Sequence, residues 1–323
     1  MQHRFGWAYI GCGGIARITA KEVLESGQGK IVSVWNRTQS RAEEFVREFG
    51  GIAYITPQEA INAPGVDGVY IAVTANLHEE YMRLCIESRK PVLCEKPFTV
   101  NAQQANSVLK YAQENGVYVS EAMWTWFNAT AKQVKYWVHS GLLGKISRVR
   151  CTYSFPMILS PYKKPRHTSP ELIGGALLDT GVYGIRYCYE LFGMPKGIIC
   201  QGRLLDGIDL GETITMDYDG FQADFIFSRD QNHGETFEIV GENGTISVPM
   251  YHCARKAVMK GDVCGKVKDK HLLYGTMFSE IAGEIRSGNP NPVTISHKST
   301  IDVMHIMDIC RHQMGLKYPC ETV

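Results

Sequence analysis

Along the first third of the chain, short apolar runs alternate with longer stretches of helical period. Residues 7–10 (Trp7-Ala8-Tyr9-Ile10), 31–35, 69–73, 91–93 and 117–119 read as strands, mostly apolar at successive rather than alternate positions. That is the signature of strands covered on both faces. Residues 15–26, 40–49, 77–88 and 102–115 carry the helical period between them. Within 40–49, Ala42, Phe45, Val46 and Phe49 share one face. Strand–helix alternation of this kind predicts a parallel sheet flanked by helices.

After about residue 123 the pattern changes. Residues 131–140 read as a helix, 147–155 alternate as a strand and 179–192 form another helix. From Gly197 to Val248 come several strands in succession, with turns at Asp219-Gly220 and Glu242-Asn243-Gly244. Helices near 277–287 and 297–314 finish the chain, and 250–270 reads as a loop or an edge hairpin. The expected second part is an α+β domain with a largely antiparallel sheet. The expected boundaries are 1–122 and 123–323, with the terminal helices free to pack back on the first domain.

A length of 323 residues suits two domains and a sizeable core. With 34 basic and 33 acidic residues the net charge is +1, which gives no electrostatic reason to expect nucleic acid or an anionic membrane. The apolar runs fall short of a bilayer span. The N-terminus leads straight into a strand without a secretory pattern, so a cytoplasmic location is expected. The ten cysteines include no CxxC pair and sit mostly in apolar surroundings. They read as buried, reduced thiols with no metal site; a disulfide-bonded secreted protein is the alternative.

The first strand runs into Gly11-Cys12-Gly13-Gly14-Ile15-Ala16, a G-x-G-x-x-A turn that opens the first helix. Gly11 allows the tight turn, Gly13 lets a pyrophosphate approach the backbone, and Ala16 keeps helix and strand close. The helix N-terminus offers free N–H groups to the phosphates. A dinucleotide-binding Rossmann sheet is therefore expected in the first domain, making the whole chain α/β. Asn36-Arg37-Thr38 follows the second strand, where an NAD site usually carries an acid. Arg37 and Arg41 suit a 2′-phosphate, so NADP is preferred over NAD; solvated surface charge is the alternative. Thr74, Asn76 and His78 follow the strand 69–73, on the edge where ligands bind. They read as lining the cofactor groove, although His78 has an equal claim to a structural role.

Two further stretches carry chemistry. In Cys94-Glu95-Lys96-Pro97-Phe98-Thr99, an ammonium group stands at the carboxyl end of a buried strand. Lys96 can hydrogen-bond a substrate oxygen and stabilise charge developing there. Burial and a cationic nicotinamide would lower its pKa and make it a proton carrier. Glu95 either contacts the ribose or holds the loop. Farther along, Gly174-Gly175-Ala176-Leu177-Leu178-Asp179-Thr180-Gly181-Val182-Tyr183 brings a flexible loop to a helix start. The Tyr183 phenol can exchange a proton with a substrate hydroxyl. Asp179 can accept hydrogen bonds from substrate or from Lys96; an N-cap and a packing tyrosine are the alternatives.

Taken in order and spacing, GCGGIA, TANLH, CEKP and GGALLDTGVY resemble the glucose–fructose oxidoreductase/inositol dehydrogenase (Gfo/Idh/MocA) family over nearly the whole chain. The resemblance implies a Rossmann domain and a C-terminal domain with an open sheet that commonly forms an oligomer interface, hence a homodimer or homotetramer. It implies that Lys96 contacts substrate oxygen and that Tyr183 is the acid/base. Tyrosine at 183, where many inositol dehydrogenase-like members have histidine, places the chain nearest the trans-1,2-dihydrobenzene-1,2-diol dehydrogenase and NADP-dependent D-xylose 1-dehydrogenase branch. Glu121-Ala122-Met123-Trp124-Thr125 resembles a segment beside the nicotinamide in that branch. Trp126 departs from it, standing where arginine is usual, and Ala129 stands where proline is common. The implied activity is hydride transfer between NADP and a hydroxyl or carbonyl of a sugar, polyol or cyclic diol. Trp124, Trp126, Phe155 and Tyr162 are candidates for an apolar wall against the substrate, with ordinary packing as the alternative. The competing readings are a non-catalytic dinucleotide sensor that regulates other proteins and an NAD-dependent, redox-neutral glycosidase.

Overall fold

The computed structural model describes residues 4–157 and 165–321, so Tyr162 lies outside the described residues. Two compact units emerge. The first takes the chain up to Thr99, Gln103–Phe127 and His271–Thr300; the second takes Val100–Ala102, Asn128–Lys270 and the chain from Ile301.

The first unit holds a six-stranded sheet of β1 (Phe5–Ile10), β2 (Gly29–Trp35), β3 (Ile52–Ala53), β4 (Gly68–Ile71), β5 (Val92–Cys94) and β6 (Val119–Glu121). The order is β3-β2-β1-β4-β5-β6 and every pairing is parallel. This is the dinucleotide-binding arrangement, and strand order reverses beside β1. β1 is buried along its whole length because helices cover both faces. On one face, Trp7 meets Phe278 edge-on at 4.9 Å and Tyr70 meets Phe278 at 5.0 Å. Phe278 belongs to the helix Leu273–Arg286, far along the chain. That helix has no cap of its own. A carboxylate oxygen of Glu22, on the helix Gly14–Glu25, accepts from the Tyr274 and Gly275 amides at 2.8 and 3.0 Å instead. It satisfies two orphan donors at the helix start.

The second unit holds an eight-stranded sheet of β7 (Ile146–Ser154), β8 (Gly197–Leu205), β9 (Ile208–Tyr218), β10 (Phe221–Ser228), β11 (Gly234–Gly241), β12 (Gly244–Pro249), β13 (Lys256–Gly261) and β14 (Gly265–Lys268). The order is β14-β13-β12-β11-β7-β10-β9-β8. Only β7 and β10 pair in parallel; the other pairings are antiparallel. Residues 250–270 resolve into a 3₁₀ turn, Tyr251–Cys253, and the edge hairpin β13–β14. Alternation sorts the faces. Val149, Cys151, Tyr153, Ala223, Phe225 and Phe227 are buried on one face, where the helices Ala129–His139 and Val182–Phe192 pack. On the other face Arg148, Arg150, Gln222 and Ile226 are exposed. Among the described residues, no helix is long and apolar enough to cross a membrane.

Candidate functional site

In the first unit the glycine turn sits at the end of β1, where strand order reverses. Gly11 has φ +102°, and a Cβ there would come within 2.6 Å of the Ala72 carbonyl oxygen, so only glycine fits. Gly13 precedes the helix Gly14–Glu25 and offers no side-chain cap, and the first turn carries no acid. Nothing lies within 4 Å of where a Gly13 Cβ would be. The helix N-terminus is thus an open cradle of amides, which fits a pyrophosphate. Ala16 is fully buried against the sheet. Cys12 is not a nucleophile, since burial pushes its thiol up to about 12. Its amide donates to Asn36 Oδ1 at 3.2 Å, and Asn36 Nδ2 donates to the Thr38 carbonyl. Asn36 therefore ties the end of β1 to the end of β2. Ile15 is half-buried, and Arg37 and Arg41 are exposed with no ion pair among the described residues.

Beyond β4, Thr74 precedes the short turn Ala75–Leu77. Asn76 Oδ1 is buried and takes no hydrogen bond within the described residues, leaving an acceptor for a bound group. His78 is only 1% exposed. Its Nδ1 faces the Pro97 and Phe98 carbonyl oxygens at 3.0 and 3.2 Å, and its Nε2 faces the Val73 carbonyl at 3.2 Å. Burial drives its pKa down to about 4, so the ring is neutral at pH 7 and donates to one side only. His78 straps the loop after β4 to the loop after β5, in keeping with its structural alternative.

That second loop carries Lys96, which is half-buried. Glu95 holds the loop from below. It accepts from the Tyr70 hydroxyl at 2.6 Å through Oε1 and from the Lys96 amide at 3.2 Å through Oε2. Burial pushes Glu95 up to about 7, against the pull of the Tyr70 bond and the Lys96 charge. Of the two expectations for Glu95, loop support is the one the geometry displays. Trp124 and Trp126 lie in the buried turn Trp124–Phe127, each 4% exposed, and Trp124 packs on Tyr274 at 4.6 Å. They present little free surface.

In the second unit, the stretch expected to be one helix from 179 begins earlier. Leu177–Gly181 forms a wide π-helical turn that runs into Val182–Phe192. Asp179 is not its cap. Asp209, fully buried, accepts from the Ala176 and Leu177 amides at 2.7 and 2.6 Å. Gly175, at φ +128°, lies so close that a Cβ would collide with the Asp209 carboxylate. Glu212 is buried beside Asp209; burial, then the Asp209 charge, hold it well above the carboxylate range.

Asp179 is instead held by Arg229, and the Arg166 guanidinium stands 3.9 Å away. The buried Arg229 lies over the Phe155 ring at 4.7 Å. Tyr183 is 7% exposed, in the first turn of its helix. Its ring centroid is 6.2 Å from Tyr153 and 5.6 Å from His252. His252 stacks on Tyr153 at 4.7 Å and 21°, with Nδ1 2.6 Å from Glu235 Oε1. Sequence reasoning missed Arg229, Glu235, His252 and the Asp209–Glu212 pair. None lies in a motif, and they reach the cluster through strand pairing rather than local spacing. All ten cysteines are free, and seven of them are buried.

A six-stranded sheet in dinucleotide-binding order, with an open glycine cradle at its reversal point, defines a nucleotide-binding enzyme of the Rossmann type. Residues 5–123 match the oxidoreductase family with an NAD-binding Rossmann fold, and residues 131–247 match the Gfo/Idh/MocA C-terminal domain. The chain belongs to the Gfo/Idh/MocA oxidoreductase family. It is 29% identical to the scyllo-inositol 2-dehydrogenase (NADP(+)) IolU of Bacillus subtilis, over 98% of each chain. It is 27% identical to the trans-1,2-dihydrobenzene-1,2-diol dehydrogenase of Mus musculus, over 97% of this chain and 98% of the other. The fold also matches the crystal structure of KijD10, a 3-ketoreductase from Actinomadura kijaniata in complex with NADP and TDP-benzene. There the TM-score is 0.86 at 22% identity, over 97% of this chain and 98% of that one.

Proposed function

We propose that the chain oxidises a secondary or anomeric hydroxyl of a sugar, polyol or cyclic diol, or reduces the matching carbonyl, with NADP as partner. The first unit serves the nucleotide and the second serves the substrate. One observation carries the reading: the open glycine cradle and Lys96 stand on the same carboxyl edge of one parallel sheet, and Glu95 and His78 hold the lysine's loop. Gly11, Gly13 and Gly14 fit the pyrophosphate, with Cys12, Ile15 and Ala16 shaping the turn. Asn36, Arg37 and Arg41 face the ribose end, and Thr74 and Asn76 line the groove. The bound nicotinamide supplies or accepts the hydride.

The chain's own residues handle binding and the proton. Tyr183 takes the hydroxyl proton in the oxidative direction, and Lys96 donates a hydrogen bond to the substrate oxygen. Asp179, fixed by Arg229, accepts from a neighbouring hydroxyl, and Phe155 supplies an apolar wall. The absence of an acid after β2 and the two exposed guanidinium groups favour NADP, and the name of the Bacillus subtilis relative points the same way. Ten free thiols suit a reducing compartment such as the cytoplasm, and a disulfide in the native protein would contradict that placement. We also propose that the exposed face of the second sheet pairs with a second copy.

The test is a panel of aldoses, inositols and trans-diols with NADP, followed by nicotinamide absorbance. Lys96→Ala and Tyr183→Phe should each lower kcat/KM by roughly 10²- to 10⁴-fold, the span of a positioned proton-transfer group. Undiminished turnover in both variants would sink the assignment.

A further inference from the structure

The turn Tyr251–Cys253 brings a histidine to Tyr183 from a part of the sequence that carries no motif. His252 is fixed on two sides. Its ring lies nearly parallel to Tyr153, 4.7 Å away. Its amide and Nδ1 both point to Glu235 Oε1, at 2.8 and 2.6 Å. The Glu235 side chain is 6% exposed and that of His252 is 20% exposed. A carboxyl group this deep needs hydrogen-bond partners. The ring so held is in contact with the Tyr183 ring, 5.6 Å between centroids at 56°.

We propose that His252, gripped by Glu235, is a positioning residue for Tyr183: it keeps a cation against the phenol and eases departure of the phenolic proton. The proposal rests on the reading of Tyr183 as the acid/base. A general base must lose its proton near working pH, and a phenol does so only when its anion is stabilised. Other ionisable groups of the second unit connect to this cluster through Tyr153, Asp179 and Glu235. Tyr153 comes from β7, Asp179 from the preceding turn, Arg229 from the end of β10, Glu235 from β11, Arg166 from the turn Pro165–Thr168 and Cys253 from beside His252. Arg229 is tied to Asp179, and its guanidinium lies over the Phe155 ring. Burial holds the Tyr153 phenol far above its ordinary range, so it stays protonated and serves as a flat stacking surface. The imidazole is in ring contact with Tyr183. Burial works against its charge, but the hydrogen bonds to Cys253 and Glu235 outweigh this and bring it to about 9. The ring is therefore charged at pH 7.

The test uses His252→Gln, which keeps a donor for Glu235 and loses the charge, and Glu235→Gln, which loosens the ring. The Tyr183 phenol is titrated by ultraviolet difference between each protein and the same protein carrying Tyr183→Phe, so no substrate is needed. His252→Gln should raise the Tyr183 titration by about one pH unit, the scale of one close charge. The acid limb of kcat/KM in the oxidative direction should move up equally, giving about a tenfold loss at a fixed pH below it. Glu235→Gln should give the same shift at pH values where the freed imidazole is neutral. A Tyr183 titration unmoved in both variants overturns the proposal, as does lower activity on an unmoved pH profile. A shifted titration in a protein that turns over nothing would strike the catalytic role of Tyr183 and leave the coupling of His252 to it standing.

Discussion

Arg37 and Arg41 follow the end of β2, where an acid would have favoured a ribose diol, and both are exposed. A charge-assisted hydrogen bond contributes about 1.5–3 kcal/mol. Replacing both arginines with alanine should therefore raise KM for NADP roughly ten- to hundredfold while leaving KM for NAD nearly unchanged. Equal losses for both nucleotides would show that the arginines do not read the 2′-phosphate. At this scale the sequence is informative wherever the backbone dictates the residue. Gly11 is such a case, because no side chain fits against Ala72. Lys96 was legible as an ammonium at the mouth of a buried strand. His252 and Arg229 were not, because their partners lie 17 and 50 positions away and meet only through the sheet. Asp179 was read as an acceptor for substrate or Lys96, with a helix cap as the alternative; its carboxylate is paired with Arg229, and the cap is Asp209.

Among the elements, the expected strands and helices of the first unit form with shifts at their ends, whereas β3 and the short helix Pro57–Ile61 were not foreseen. The strand expected at 117–119 occupies Val119–Glu121, and the helix expected from 77 begins at His78 after a 3₁₀ turn. Periodicity locates an element's middle; hydrogen bonds to neighbouring loops set its limits. The start of the helix behind Tyr183 shows the same division. Alternation and glycines mark the region, but the cap is Asp209, about thirty residues later in the chain. The buried Asp209–Glu212 pair holds its protons to a higher pH when folded than when unfolded, since burial raises both groups. Its contribution is thus full below the ordinary carboxylate range and is lost as pH rises through the folded titration. The unfolding free energy from urea titrations should fall with rising pH by up to about 1.4 kcal/mol per pH unit for one such proton. Glu212→Gln, a permanent donor, should flatten this slope, and Glu95, raised to about 7, should account for part of what remains. An unchanged slope in Glu212→Gln would mean that the pair holds no such proton.

For the molecule as a whole, alternation of strands and helices followed by successive strands was enough to foresee a Rossmann sheet and a mostly antiparallel one. The return of Leu273–Arg286 to the first unit was not specified by pattern; it follows from the aromatic face of β1 and from Glu22, which needs amides to receive. The exposed face of the second sheet bears Ile199 and Ile226 at 60% and 37% exposure beside the Arg148–Asp224 pair. Should that face join two copies, Ile226→Lys will lower the mass seen by light scattering, and an unchanged mass will exclude this face. Direct hydride transfer between the carbon that bears the hydroxyl and the nicotinamide is the step on which the proposed function stands. It is best tested by placing deuterium on the reacting carbon of whichever panel substrate turns over and weighing the NADPH formed. Each NADPH should carry one deuterium, with formation strongly reduced in Lys96→Ala and Tyr183→Phe. Deuterium left in a cleaved sugar without net NADPH would contradict it and point to redox-neutral glycoside cleavage; nucleotide binding without any transfer would point to a sensor.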